Sequence, residues 1–133
     1  MAVHPGQVAL RPLEDRDLEL VFAWRSDREV MRWLPSAEGS LPWLAHWEWF
    51  HNPQRLEMRS DWTVLFNDNG TRPRRVGVTH CILTTGEVGL LIGEKALWGE
   101  GIGQVAMEKT LRAITTPYWE IHRDQFGPIW ALV

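Results

Sequence analysis

Trp98-Gly99-Glu100-Gly101-Ile102-Gly103 constrains this chain more than any other stretch. An apolar run, Val88 to Gly93, precedes it, and a segment with helical spacing follows, from about Gly103 to Ile114. Glycines at alternate positions strip the side chains from a turn that leads into a helix N-terminus. The first N–H groups of a helix lack intrahelical acceptors, and the aligned peptide dipoles add partial positive charge there. Strand, glycine turn and helix in this order form a site for a phosphate or pyrophosphate. An ordinary glycine-rich turn shows the same short pattern, so the segment alone leaves both readings open.

The rest of the chain surrounds that turn with a mixed set of elements. Val8-Ala9-Leu10-Arg11-Pro12-Leu13 alternates apolar and polar residues and reads as a first strand. Acidic, cap-like residues from Glu14 to Asp17 introduce a helical apolar face made of Leu18, Leu20, Val21, Phe22 and Trp24. A short helix is expected from Asp27 to Trp33, a turn from Ser36 to Ser40, and a further helix from Leu41 to Phe50 that ends at Asn52-Pro53. The period then changes. Trp62 to Phe66, Arg75 to Leu83 and Glu87 to Gly93 read as strands, joined by turns at Asn67-Asp68-Asn69-Gly70 and Thr84-Thr85-Gly86. Pro117 should break the long helix after the glycine turn. A helical piece from about Tyr118 to Gln125 and a last strand, Pro128 to Val133, complete the expected order.

Length and composition exclude several classes. At 133 residues, the chain is expected to form a single domain, 1–133, with a real core. A net charge of −3 and the lack of a basic stretch speak against nucleic acid. Arg72, Arg74 and Arg75 form a small cluster that reads as a solvated loop. Cys81 is the sole cysteine, which removes a disulfide framework and a cysteine-based metal site; no metal is expected. No apolar stretch reaches membrane-spanning length and no signal-peptide core opens the chain, so a soluble cytoplasmic protein is expected. Nine tryptophans are a heavy load for this length, and core packing is the expected role of most.

This order of elements resembles the GNAT acetyltransferase superfamily, and three local patterns carry the resemblance. Leu10-Arg11-Pro12-Leu13-Glu14, with Asp17-Leu18 and Ala23-Trp24-Arg25-Ser26-Asp27, is similar to the first strand and helix of the branches that acetylate amino sugars and ribosomal proteins. His46-Trp47-Glu48-Trp49-Phe50 is similar to a helix of the same branches. Glu87 to Gly93 followed by Trp98 to Gly103 resembles the fourth strand and the acetyl-CoA loop. The likeness runs from about Val8 to Leu111. It implies a mixed α/β (α+β) fold, with a mostly antiparallel central sheet flanked by helices.

The resemblance also implies a reaction: an acetyl-CoA-dependent N-acetyltransferase moving an acetyl group to a primary amine of a small molecule or amino sugar. Gly99, Glu100, Gly101, Ile102 and Gly103 would hold the pyrophosphate of acetyl-CoA, largely through backbone N–H groups. Trp98 stands at the loop's first position, where the wider family has Arg or Gln and the resembled branch often has Trp. Leu91 and Ile92 would offer backbone groups to the pantetheine arm. The amine must be neutral to attack, which calls for a base, and N–H groups near the thioester oxygen would stabilise the developing oxyanion. Glu87 matches a frequent family base and is the first catalytic candidate; a solvated carboxylate after a turn is its bland alternative. His80 is second, with a packed, hydrogen-bonded histidine as the competing role. His46 is expected to brace its helix, and Asp61 and Asp68 to sit in turns.

At the C-terminal end the chain departs from the family pattern, which continues beyond the fifth strand with a helix and two more strands. That segment commonly carries a tyrosine general acid, a role not transferred to Tyr118, the single tyrosine, which lies before that strand. The expected fold therefore lacks the last strands, and a bare fifth-strand edge suggests a homodimer, unless Trp119, Phe126 and Trp130 cover it. The alternative function is a non-catalytic CoA-binding or interaction protein on a degenerate version of the fold. Gly101-Ile102-Gly103-Gln104-Val105-Ala106 also fits a dinucleotide fingerprint, which would need a parallel βαβ unit behind it. A Walker-type loop is excluded here, because no Lys-Ser/Thr follows the glycines.

Overall fold

Alternation along three central segments builds the sheet; one amphipathic helix closes one of its faces and four shorter helices lie on the other. The computed structural model describes residues 3–32, 42–70 and 72–115. Strand β1 (Val8–Pro12) pairs with β2 (Arg59–Phe66), β2 with β3 (Arg74–Ile82), and β3 with β4 (Val88–Ile92), all antiparallel, in the order β1-β2-β3-β4. The β2–β3 turn places Asn69 and Gly70 at positive φ, 51° and 86°, as the Asn-Asp-Asn-Gly run predicts. Between Val64 and Leu65 the register shifts, leaving Val76 as an extra residue on β3.

On one face lies α5 (Ile102–Thr115). Its buried residues, Ile102, Val105, Ala106, Lys109, Thr110 and Ala113, recur at helical spacing. They pack on Val8, Leu10, Trp62, Val64, Phe66, Val76 and Cys81. Two polar residues in this stripe are satisfied: Lys109 Nζ donates to the Val8 carbonyl at 2.6 Å, and Thr110 Oγ1 bonds Thr79 Oγ1 at 2.8 Å. The other face carries α1 (Leu18–Arg25), α2 (Arg28–Met31), α3 (Trp43–His51) and α4 (Arg55–Met58). Leu13, Val21, Trp24, Val30, Val78 and Leu91 form the core there, with Trp49 and Phe50 at its border. Asp27 caps α2 by accepting from the Glu29 and Val30 amides.

The mixed fold with an antiparallel sheet agrees with expectation. Several bounds move: α2 covers only Arg28–Met31, β2 starts three residues before Trp62, and α4 is an unforeseen turn of helix. Tryptophan use also differs. Trp24 and Trp62 are buried, but Trp43, Trp47 and Trp98 are exposed and Trp49 is half-buried. The cause lies in α3, whose sequence WLAHWEWFH is aromatic all round while only one side faces α1. The expected turn at Ser36–Ser40, the break at Pro117, the helical piece Tyr118–Gln125 and the strand Pro128–Val133 lie outside the described residues. Cys81 is a buried free thiol, as expected, and burial raises its pKa. Among the described residues no helix is long and apolar enough to cross a membrane.

Candidate functional site

Beyond Ile92 the chain passes Gly93 and a 3-10 turn, Lys95–Leu97, before the glycine loop opens α5. Gly99 and Gly101 have φ of 84° and 91°, a region that L side chains rarely adopt. A Cβ at either would point into open space, so no side chain obstructs the loop. Gly103 serves another purpose: a Cβ there would stand 3.0 Å from Leu90 Cδ2, so glycine lets α5 close on β4. Trp98 Nε1 donates to the Ile92 carbonyl at 2.8 Å and ties the loop to the end of the strand. Glu100 holds the N-terminal segment, its carbonyl accepting from the Val3 amide at 3.1 Å.

Val105 N–H donates to the Gly101 carbonyl, closing the first turn of α5. No described residue accepts a hydrogen bond from the N–H of Gly99, Glu100, Gly101, Ile102, Gly103 or Gln104. A run of unengaged amides at the positive end of a long helix forms an anion cradle.

β4 leads from this cradle to a polar end of the sheet. Gly93 N–H donates to Val76, and Ile82 N–H to Glu87. With the alternation of an antiparallel ladder, the backbone groups of Leu91 turn toward β3 and those of Val88, Leu90 and Ile92 turn outward. Among the described residues no strand lies beyond that edge. The Leu91 side chain is buried against Val21 and Trp24.

At the far end, cross-strand pairing sets Asp61 beside His80 and His80 beside Gly89, on the face covered by α1 and α3. The His80 ring lies on Gly89: a Cβ there would fall 2.2 Å from His80 Cε1. Burial lowers the His80 pKa, and the charge of Arg59 lowers it further against the opposing effects of Asp61 and Glu87. His80 is packed, as expected, but its ring makes no hydrogen bond to a described residue. Glu87 is exposed, just before β4, and its charge reaches His80. His46 is buried and its Nε2 bonds the Leu18 carbonyl at 3.2 Å, which makes it the expected brace between α3 and α1.

Asp61 is not a turn residue. It lies in β2 with its side chain 6% exposed, held by Arg55 Nη1 at 3.0 Å and Arg59 Nη2 at 2.8 Å. Nor are the basic residues near the hairpin all in a loop: Arg74 and Arg75 begin β3, and Arg75 bonds Asp17 at 3.2 Å. Trp49, Asn52, Gln54, Arg55, Met58, Arg59 and Ile82 line a cleft of about 230 Å³ beside Asp61. Sequence reasoning missed this cleft, because Arg59-Ser60-Asp61 lacks the apolar alternation that marks a strand. The signal available was the pair Arg55 and Arg59, four residues apart, ahead of a lone aspartate.

An antiparallel sheet whose fourth strand runs through a glycine loop into a helix, with a cleft lined by two arginines at its other end, defines an acyltransferase-like α/β domain. A model of the acetyltransferase (GNAT) domain matches residues 7–126, and the chain belongs to that family. An uncharacterized protein of Methanocaldococcus jannaschii is 34% identical over 110 residues, which make up 80% of this chain and 22% of that protein. A solved domain from the same organism has a TM-score of 0.71 at 32% identity, covering 86% of this chain and 70% of that one. Spermidine N-acetyltransferase from Vibrio cholerae, in complex with CoA and spermine, has a TM-score of 0.60 at 18% identity over 79% of this chain and 62% of that one. The aminoglycoside acetyltransferase AAC(6')-Ib, in complex with ribostamycin and coenzyme A, has a TM-score of 0.64 at 15% identity over 79% and 65% of the two chains. These last two likenesses concern the fold. Because the described strands are all antiparallel, the dinucleotide fingerprint at Gly101–Ala106 lacks its βαβ setting among the described residues.

Proposed function

We propose that this domain binds acetyl-CoA and transfers its acetyl group to a primary amine of a small molecule or amino sugar. The observation that carries the proposal is the run of amides from Gly99 to Gln104, at the start of α5, that have no acceptor among the described residues. It fits a pyrophosphate, since backbone donors need no side chain and the glycines leave the approach open. In this proposal Gly99, Glu100, Gly101, Ile102 and Gly103 hold the pyrophosphate, and Trp98 fixes the loop through its bond to Ile92. Of the expected pair, Leu91 and Ile92, the Leu91 backbone turns toward β3. The Ile92 N–H and, in place of Leu91, the outward backbone groups of Leu90 meet the pantetheine arm, with the Leu91 side chain packed beneath them. Four residue steps at about 3.3 Å each place Val88 roughly 13 Å from Ile92, which brings the reacting end near His80 and Glu87.

Acetyl-CoA supplies an activated thioester carbonyl. The amine nitrogen bonds that carbon, the C–S bond breaks, and the amine loses a proton as the thiolate takes one from solvent. Glu87 accepts the amine's proton, directly or through one water. His80 is the second base: its lowered pKa keeps it neutral, and so able to accept a proton, at pH 7. Calorimetric titration with acetyl-CoA, CoA and NAD, followed by an amine screen, tests the proposal. Acetyl-CoA binding should be lost in Gly101→Leu, and Glu87→Gln should lower kcat by roughly a hundredfold or more without weakening acetyl-CoA binding. If His80→Asn takes the larger loss, the base is reassigned; acetyl-CoA binding with no transfer to any amine favours the non-catalytic alternative. The homodimer belongs to the same proposal, and a monomer in light scattering removes it.

A further inference from the structure

The cleft beside Asp61 has an excess of positive charge. Arg25 from α1, Arg55 from α4 and Arg59 from β2 converge on the Trp49 ring, with guanidinium carbons 6.0, 5.6 and 5.2 Å from its centroid. Among the described residues one carboxylate, Asp61, faces them. It accepts from Arg55 Nη1 and from Arg59 Nε and Nη2. Arg55 Nε is also committed, to the Phe50 carbonyl. No described residue accepts from Arg55 Nη2 or Arg59 Nη1, and Arg25 Nε is buried without a partner. Burial, then the charge of Arg59, push the Arg25 pKa down against the pull of Asp61, which marks a cation short of counter-charge. Leaving guanidinium groups crowded and under-bonded costs stability, and an oxyanion in the cleft would supply the missing acceptors.

The position of the cleft ties this charge to the reaction. Arg59 pairs with Ile82, whose N–H bonds the Glu87 carbonyl, and both Arg59 and Ile82 line the cleft. The adjacent cross-strand row is Asp61, His80 and Gly89, so the cleft opens at the same end of the sheet as both candidate bases. We propose that the acceptor carries an oxyanion, a carboxylate or phosphate, on the same small molecule as its amine. The oxyanion binds Arg55 and Arg59, which line the cleft, with the Arg25 charge close by on the same Trp49 ring, and the amine is thereby presented beside Glu87 and His80. This rests on the acetyl-transfer proposal above and names the substrate class. A polyamine, which brings only cations, fits this cleft poorly.

Matched acceptors test it. With acetyl-CoA saturating, kcat/KM is compared for lysine against cadaverine and for O-phosphoethanolamine against ethanolamine, pairs that differ by a carboxylate or a phosphate. The oxyanion-bearing member should be favoured, and Arg59→Gln and Arg25→Gln should each cut that preference by roughly tenfold to a hundredfold, the worth of one charged hydrogen bond. Cadaverine and ethanolamine, which lack the oxyanion, should lose less than lysine and O-phosphoethanolamine in both variants. Arg25→Gln removes a charge without removing a hydrogen bond to a described residue, so it guards against misfolding of Arg59→Gln. Equal rates within both pairs, a preference for cadaverine, or a preference unchanged in both variants overturns the proposal. If no amine is acetylated at all, the transfer proposal fails separately, and the oxyanion site is judged by titrating inorganic phosphate and glutamate while following the His80 ring resonances. Saturable shifts that vanish in Arg25→Gln sustain the site; none at tens of millimolar, on the order of the weakest specific binding, rejects it.

Discussion

Asp17 shows how one buried charge can hold several elements together. Its side chain is 2% exposed and takes both Arg11 guanidinium nitrogens, at 2.7 and 2.9 Å. It also accepts from the Glu14 amide, Thr63 Oγ1 and Arg75 Nη1. The residue that opens α1 is thus bonded to β1, β2 and β3. Burial by itself would raise the Asp17 pKa. The hydrogen bonds from Arg11, Glu14 and Thr63, with the Arg11 charge, outweigh that and lower it. Replacing Asp17 with Ala leaves the buried Arg11 with only the more exposed Glu14, 3.5 Å away, as counter-charge, so urea unfolding should show a loss of about 3 kcal/mol. The sign of the pH dependence follows from the direction of the shift. With a folded-state pKa below the ordinary 3.8, the stabilisation is complete above that value and fades as pH falls through the folded-state pKa. An Asp17→Asn protein should therefore lie below wild type at pH 7 and converge with it in acid. Parallel curves would show that the carboxylate charge contributes nothing.

The contact between α1 and the end of β4 depends on a missing side chain. A Cβ on Gly93 would fall 2.2 Å from Trp24 ring carbons, and Trp24 is itself buried. Gly93→Ala must displace the indole or the strand end, at a cost of roughly 1–3 kcal/mol in chemical denaturation; a variant as stable as wild type would mean that the ring yields freely. The same elements show what was legible in the sequence. The α5 stripe and the apolar parts of the strands were readable because a single period governs each burial pattern. The glycine loop was readable because φ of 84° and 91° leaves glycine as the default residue. The cleft was not. α4 is four residues long without a side-chain cap, and the start of β2 is charged because Asp61 is held by Arg59 of its own strand and by Arg55 of α4. Local pattern carries no trace of such a pairing. Lys109 hid in the same way, a basic residue within an apolar stripe whose Nζ donates to the Val8 carbonyl.

Across the whole molecule, local and global charge have opposite signs. The net charge is −3, yet among the described residues three guanidinium groups gather on the Trp49 ring beside one carboxylate, Asp61, and the amides at the start of α5 have no acceptor. β4 joins these two electropositive places, with α5 on one face and α1 to α4 on the other. A ligand spanning the strand would therefore be felt along its length. Binding to the native state alone at a hundredfold excess over Kd stabilises by about 2.7 kcal/mol, which in a domain of this size raises Tm by roughly 10 °C. With acetyl-CoA, hydrogen exchange should slow first at the amides of Gly99 to Gln104, which have no acceptor among the described residues, and at the outward amides of Leu90 and Ile92. Those of Leu91, already turned toward β3, should change less. Gly101→Val should abolish both the Tm shift and the local protection, measured against its own ligand-free baseline, because strain at positive φ lowers that baseline by about 1–2 kcal/mol. A Tm rise with protection spread evenly over α1, β1 and α5, and no enrichment at the loop, would place the ligand elsewhere.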